Sequence, residues 1–356
     1  MNKAYKYRIY PTTKQKIFFA KTFGCVRFVY NRMLSDKLGN KKSVTPARYK
    51  EEFEWLCEVD SLALCNAQMN LQQAFRNHKQ NPKHFGKPRF KSRKNRQSYS
   101  TNNQKGSVRI ENGQIKLPKI GRVKIVQHRE IPGNCTIKTV TVSKTPTNEY
   151  YVSVSVEYES QVLKVVPKKF VGLDYSMHEL YVSSDGDIPS YPKFYRKSEK
   201  KLAKFQRWFS RKVKDGNNRE KFRKRLSKIH KKTANRRKDF LHKLSHNLVK
   251  KYDCVCVEDL NMQAMSKALK FGKSVHDNGW GIFTRMLEYK CEWYGKTFVK
   301  IDKFEPTSQK CHCCGYKNSA TKDLNVRKWR CPKCGAYHDR DINAAINIRE
   351  AGKKLI

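Results

Sequence analysis

Residues 331–348 read CPKCGAYHDRDINAAINI, a Cys-x2-Cys pair running straight into an acid-flanked helix start. Ala344, Ala345 and Ile348 form a small, apolar stripe, which predicts a helix packed closely on a sheet. Asp341 then falls at that helix's N-terminus, where negative charge is favoured. Two upstream stretches supply sheet strands that also end in acids. Phe170-Val171-Gly172-Leu173-Asp174 is one, followed by Glu179-Leu180-Tyr181-Val182-Ser183 and an Asp185-Gly186 turn. Cys254-Val255-Cys256-Val257 is the other, closed by Glu258-Asp259. Aspartate is depleted from strands and a buried carboxylate is costly without a partner, so an acid ending an apolar strand points to a metal. A turn aspartate and a solvated strand end are the plain alternatives for Asp174 and Glu258. Taken together, Asp174, Glu258 and Asp341 predict a site for two Mg²⁺ ions about 4 Å apart that cleaves phosphodiesters. Magnesium suits carboxylate and phosphate oxygens and keeps water that becomes the nucleophile.

Upstream of Cys331 and Cys334 stands a second pair, Cys311 and Cys314, separated from the first by sixteen residues. Glycine follows each pair (Gly315, Gly335), permitting the tight turn that aims two thiolates at one ion. This spacing predicts one structural Zn²⁺ in a four-cysteine ribbon, inserted between Glu258 and Asp341. Cys313 lies inside the first pair and is a possible competitor, but Cys314 has the regular spacing. Cys25, Cys57, Cys65, Cys135 and Cys291 read as ordinary core or surface residues.

Over 356 residues, 77 Lys and Arg face 31 Asp and Glu, a formal net charge of +46. Such self-repulsion calls for a polyanionic partner. A hydrophobic share of 38% with 12% aromatics argues against disorder. No run of about 18 apolar residues exists, which predicts no membrane span. The first thirty residues lack a signal-peptide core, and the cysteine pattern suits a reducing cytosol.

The charge is concentrated in two runs. Segment 76–96 carries nine Lys and Arg and no acid, with Phe85 and Phe90 among them and Pro82, Gly86 and Pro88 opposing a regular helix. Segment 193–238 carries twenty-one Lys and Arg against three acids, too one-sided for i,i+4 pairing to hold it. A phosphate-contacting helix or hairpin broken near residues 215–218 explains that run better than a solvated face. Phe85, Phe90 and Tyr99 are candidates to stack on unpaired bases.

At the start, AYKYRIY alternates as a strand ending at Pro11, and Thr12 or Thr13 can cap a following helix. Helical stretches follow at about 46–58 and 61–79. Short strands resume in SVRIE, QIKLP, RVKIV, TVTVS and YYVSVSVEYE, the last at 150–159. This order predicts a small β-barrel interrupted by helices, a linker at 160–168 and then an α/β domain.

Several longer strings make the chain resemble the TnpB (OrfB) family of transposon-encoded, RNA-guided DNA endonucleases, relatives of the miniature type V CRISPR effectors. They include GCVRFVYNRML, GKPRFKSRK, VGLDYS, VEDLNM, NGWGIFTRMLEYKCEWYG and TSQKCHCCG, besides the stretch quoted first. The resemblance implies a mixed α/β and β multidomain fold. Residues 1–11 and 105–167 would form a wedge-type, oligonucleotide-binding-like barrel, and 12–104 a helical recognition insert. Residues 168–303 and 339–356 would form a RuvC nuclease of RNase H-like fold, and 304–338 the zinc ribbon. It further implies that Asp174 and Asp341 bind metal directly, while Glu258 binds metal and orients the attacking water. Arg327 or Arg330 would neutralise transition-state charge. The partners implied are a structured guide RNA and target DNA, double- and single-stranded, with a short adjacent motif read by protein. The expected location is the prokaryotic cytoplasm at the nucleoid. A nuclease-silent RNA-guided repressor and a recombinase accessory are the rival readings.

Overall fold

The computed structural model describes residues 2–40, 45–94, 96–158, 162–268, 272, 277–323 and 325–356. The chain divides into two compact units, Met1–Ser160 and Gln161–Ile356. Glu159 of the expected 150–159 strand, residues 160 and 161 of the expected linker, Asn95 and Leu324 lie outside the described residues.

In the first unit, β1 (Asn2–Tyr10) alternates as read, burying Tyr5, Tyr7 and Ile9. Thr12 caps α1 (Thr13–Leu38) in a reciprocal box with Gln15, whose N–H donates to Thr12 Oγ1 at 3.3 Å. The stretch 46–58 divides into α2 (Pro46–Glu52) and a 3₁₀ turn (Glu54–Glu58), and α3 (Ser61–Gln80) follows, capped by Asp60. Six further strands complete the sheet: β2 (Gln97–Asn102), β3 (Arg109–Glu111), β4 (Gln114–Leu117), β5 (Gly121–Val126), β6 (Cys135–Lys144) and β7 (Tyr150–Tyr158). Their order is β2-β6-β7-β1-β5-β4-β3, antiparallel throughout, so the expected barrel is a half-barrel with β2 and β3 at its ends. One of its strands, β2, comes from within the 12–104 stretch read as helical insert. Phe19 and Phe23 of α1 pack with Tyr99 and Tyr150 of the sheet. Tyr99 is therefore corrected from a base-stacking candidate to a core residue, only 4% exposed, whereas Phe85 and Phe90 are exposed.

In the second unit, β8 (Phe170–Ser176) and β9 (Leu180–Ser183) form a hairpin. The basic run becomes two helices, α4 (Phe194–Ser210) and α5 (Asn217–Lys251), separated at residues 211–216. Strand β10 (Cys254–Glu258) pairs parallel with β8 and with β11 (Thr297–Ile301), giving the order β11-β10-β8-β9. A two-stranded ribbon, β12 (Lys328–Arg330) and β13 (Tyr337–Asp339), leads directly into a helix over Arg340–Lys353. That helix lies on the sheet through Ala344, Ala345 and Ile348, all at most 1% exposed. The approach is so close that a Cβ on Gly172 would overlap the Ala345 carbonyl and lie 2.6 Å from the Arg349 nitrogen, both backbone atoms. Among the described residues, no helix is long and apolar enough to cross a membrane.

The helix over Trp280–Trp293 is fastened to α5 by an unusual group. Lys290 is only 6% exposed, and its Nζ donates to the His242 carbonyl at 2.6 Å and to Ser245 Oγ at 2.8 Å. Burial pushes its pKa down to about 8.

Two predictions follow from this packing. Gly172→Ala should lower the urea midpoint by the equivalent of about 1–3 kcal/mol or more, because the backbone of the facing helix cannot yield as a side chain would. Lys290 is uncharged in the folded chain at pH values where the unfolded chain still holds the proton, that is, from about 8 to about 10.4. Unfolding free energy should therefore gain a rising component across that window, absent from Lys290→Met, when the two are compared by denaturant titration at each pH.

Candidate metal centres and carboxylate cluster

Register brings the first two acids together. Val257 of β10 pairs with Leu173 of β8, so Glu258 and Asp174 are the next residues along two adjacent parallel strands. The helix resting on Gly172 then brings Asp341, its second residue, to the same sheet end. Asp174 keeps partial solvent exposure, yet protein packs densely round its carboxyl. That burial raises its pKa well above the usual range, the charges of Glu258 and Asp341 raise it further, and Arg340 opposes them. Burial also raises Glu258, offset by Thr307, whose hydroxyl donates to Glu258 Oε1 at 2.5 Å. Crowded, desolvated carboxylates of this kind suit a hard divalent cation, which would remove the repulsion.

Asp341 is held differently. Its Oδ2 accepts from Arg327 Nη1 at 2.9 Å and its Oδ1 from Arg340 at 3.3 Å. Of the two arginines named from sequence, Arg327 therefore stands at the carboxylates, while Arg330 Nε donates to the Gly335 carbonyl at 3.0 Å within the ribbon. Asp339 is the helix cap, accepting from the N–H groups of Asp341 (3.0 Å) and Ile342 (3.2 Å). Its carboxylate thus fixes the backbone of Asp341.

The ribbon gathers Cys311, Cys314, Cys331 and Cys334 with their sulfurs all within 4.8 Å of one another. Cys311 and Cys334 Sγ are 3.7 Å apart, Cys314 and Cys331 Sγ 3.6 Å. Each pair sits in a knuckle: the N–H of Gly315 donates to Cys311 O and that of Gly335 to Cys331 O, both at 2.9 Å, with φ of +76° and +70°. Burial opposes the Cys331 thiolate, but the backbone N–H groups of Cys334 and Lys333 together with the neighbouring Cys314 and Cys334 thiols outweigh it and bring the thiol down to about 7. This donor set fits a thiophilic metal ion. Cys313 is exposed and belongs to a second set of close ligand atoms, with Cys311 and His338. His338 Nε2 is 3.1 Å from Cys311 Sγ, a hydrogen-bonding separation that places the imidazole beside the ligand sulfur.

Two residues that sequence reasoning passed over, Asn343 and Asn347, join the two centres. Asn347 Nδ2 donates to the Thr307 carbonyl at 2.8 Å and also to Lys310 O. Asn343 Nδ2 donates to Lys310 O at 2.8 Å, and its Oδ1 accepts from the His312 N–H at 3.0 Å. The same helix therefore holds the segment that bears Thr307, against Glu258, and Cys311. The available signal was the Asn-x3-Asn spacing on the buried side of an otherwise apolar stripe; Thr307 and His338 had none.

Three family models match the chain: "Cas12f1-like, TNB domain" over 280–348, "Probable transposase" over 153–269 and "Helix-turn-helix domain" over 1–40. In this chain, 1–40 holds a strand and one long helix. A protein of Streptomyces pristinaespiralis named "Putative RNA-guided DNA endonuclease" is 37% identical, covering 99% of this chain and 90% of its own. An Escherichia coli (strain K12) protein of the same name with the suffix InsQ is 30% identical over 99% of this chain and 93% of its own. A "CRISPR-associated endodeoxyribonuclease Cas12f1" of Sulfoacidibacillus thermotolerans is 25% identical over 56% of this chain and 50% of its own. Among solved structures, the fold matches a chain in the "Cryo-EM structure of the Cas12f1-sgRNA-target DNA complex", with a TM-score of 0.64, 12% identity and 98% coverage of both chains.

The geometry separates Cys314 from its neighbour. Cobalt added to metal-free protein should give thiolate-to-cobalt absorption that Cys314→Ser largely loses and Cys313→Ser retains. The reverse order would place the metal on the Cys311, Cys313 and His338 set instead.

Proposed function

The chain belongs to the TnpB (OrfB) family of RNA-guided DNA endonucleases, and we propose that it cleaves DNA complementary to a bound, structured guide RNA at one RuvC-type site. The observation that carries this reading is the convergence of Asp174, Glu258 and Asp341 from three separate segments, close enough for two of them to raise the third. Two Mg²⁺ ions held by these carboxylates would activate water and neutralise charge on the phosphodiester. The protein's own part is to aim the ligands. Thr307 fixes the Glu258 carboxylate, Asp339 sets the backbone at Asp341, and Gly172 sets how near the helix comes. Arg327, more than half exposed and reaching from the ribbon, is the cation available to a phosphate at this place. Zinc on Cys311, Cys314, Cys331 and Cys334 would rigidify the ribbon that carries it.

The domain assignment proposed from sequence goes with this reading, with β2 added to the wedge sheet. Guide pairing supplies sequence choice, while the protein contributes backbone contacts and reads a short adjacent motif. The excess of cations over acids supplies the affinity for phosphates.

Asp174→Ala, Glu258→Gln and Asp341→Ala should each cut a matched duplex at least about 100-fold more slowly than the parent in Mg²⁺. Binding of the RNA that copurifies should stay within about twofold, since the basic surface is untouched. Undiminished cutting by any of the three would remove that residue from the site. Replacing the guide segment should redirect cutting with no change in protein, and cutting that ignored the guide would leave only a basic nuclease.

A further inference from the structure

The basic hairpin does more than present a charged face. Between α4 and α5 lies a cavity of about 230 Å³ whose floor includes Phe194 and Ile229. It is open to solvent and holds far more than a single water. Four cations stand round it: Lys197 and Lys201 from α4, Lys232 and Arg236 from α5, all exposed. Among the described residues, no acid lines the cavity. Ser198 and Thr233 are joined at its wall, the Thr233 hydroxyl donating to Ser198 Oγ at 2.9 Å.

An apolar floor under a ring of cations is matched by a flat aromatic group bearing anionic ends. An acidic peptide would satisfy the charges and leave the floor unused; a DNA strand lacks the ribose 2′-OH, which can donate to the remaining lone pairs of the already bonded Ser198–Thr233 pair. The α4 face continues at helical spacing to Phe205 and Trp208, and Lys204 Nζ lies 4.8 Å from the Trp208 ring centroid. A single strand therefore finds a second aromatic surface two turns further along.

We propose that this cavity captures one unpaired base of the bound RNA, packing it on Phe194 and Ile229 while the four cations hold the flanking phosphates. The inference rests on the RNA-guided reading and names where the protein grips a non-duplex part of that RNA.

The test uses the full chain and a short oligouridylate carrying 4-thiouridine, with its deoxy counterpart, photocrosslinked and mapped by peptide mass. The ribo-oligomer should label residues 194–201 or 229–236. Ile229→Trp fills the cavity and keeps all four cations, so it should lose most of that label with overall affinity nearly unchanged. Lys201→Gln with Lys232→Gln removes two phosphate contacts on exposed side chains, and should reduce the slope of log affinity against log salt by about 1.4. Labelling elsewhere, full labelling of Ile229→Trp, or equal labelling by the deoxy oligomer would overturn the proposal. A protein that cuts with its guide yet shows no label here would sink the cavity alone. Label here with cutting that ignores the guide would sink the guided reading alone.

Discussion

A missing side chain governs the second unit. At Gly172 the backbone of the 340–353 helix comes nearer to β8 than any Cβ would permit, and Gly352 of the helix leaves the space that the Cys256 side chain of β10 occupies. With the helix seated at that height, Asp341 reaches the sheet end where Asp174 and Glu258 stand. Like charges brought this near raise each other's energy, so the arrangement persists only because apolar packing outweighs it. Cys254 and Cys256 of β10 and Ile301 of β11 form one buried apolar cluster with Ile348 of the helix. The sheet is the support against which electrostatic strain is held.

The polar side of the same helix performs a second task. Asn343 and Asn347 are buried, and their amides satisfy carbonyls of a loop that has no regular structure of its own. Buried polar groups are tolerated when fully bonded, and here the bonding fixes the one segment shared by the carboxylate cluster and the cysteine cluster. The two centres are thus parts of one construction.

How much of this was readable depends on how local each signal is. The helix stripe at 344, 345 and 348, the cysteine pairs and the strand closed by Glu258 are patterns within a few residues, and the structure forms each of them. The strand expected to end at Asp174 instead runs on to Ser176, because the hairpin partner β9 pairs with residues 173–176. The hairpin break also followed from Asp215-Gly216, where Asp215 adopts φ of +64°. What escaped depends on partners far along the chain. Strand β2 reads QSYSTN, polar throughout, and is a strand because β6 supplies its ladder and Ser100 meets Thr141 at 2.7 Å. Tyr99 among cations looked like a stacking residue; Phe19 and Phe23, some eighty positions earlier, make it core. Choosing Arg327 over Arg330 required knowing which way a two-stranded ribbon turns its side chains.

The order of the ligands along the chain has a consequence for biosynthesis. Strands β8 and β10 can pair once Glu258 has left the ribosome, and the basic hairpin between them is complete by then. The third carboxylate arrives only after the ribbon, at about 5–20 residues per second a delay of several seconds. Throughout that interval the nascent chain carries its cationic helices and an unfinished carboxylate set. On the function proposed above, the basic helices are therefore made before the last of the three proposed metal ligands, and a chain ending within the ribbon has the first without the second.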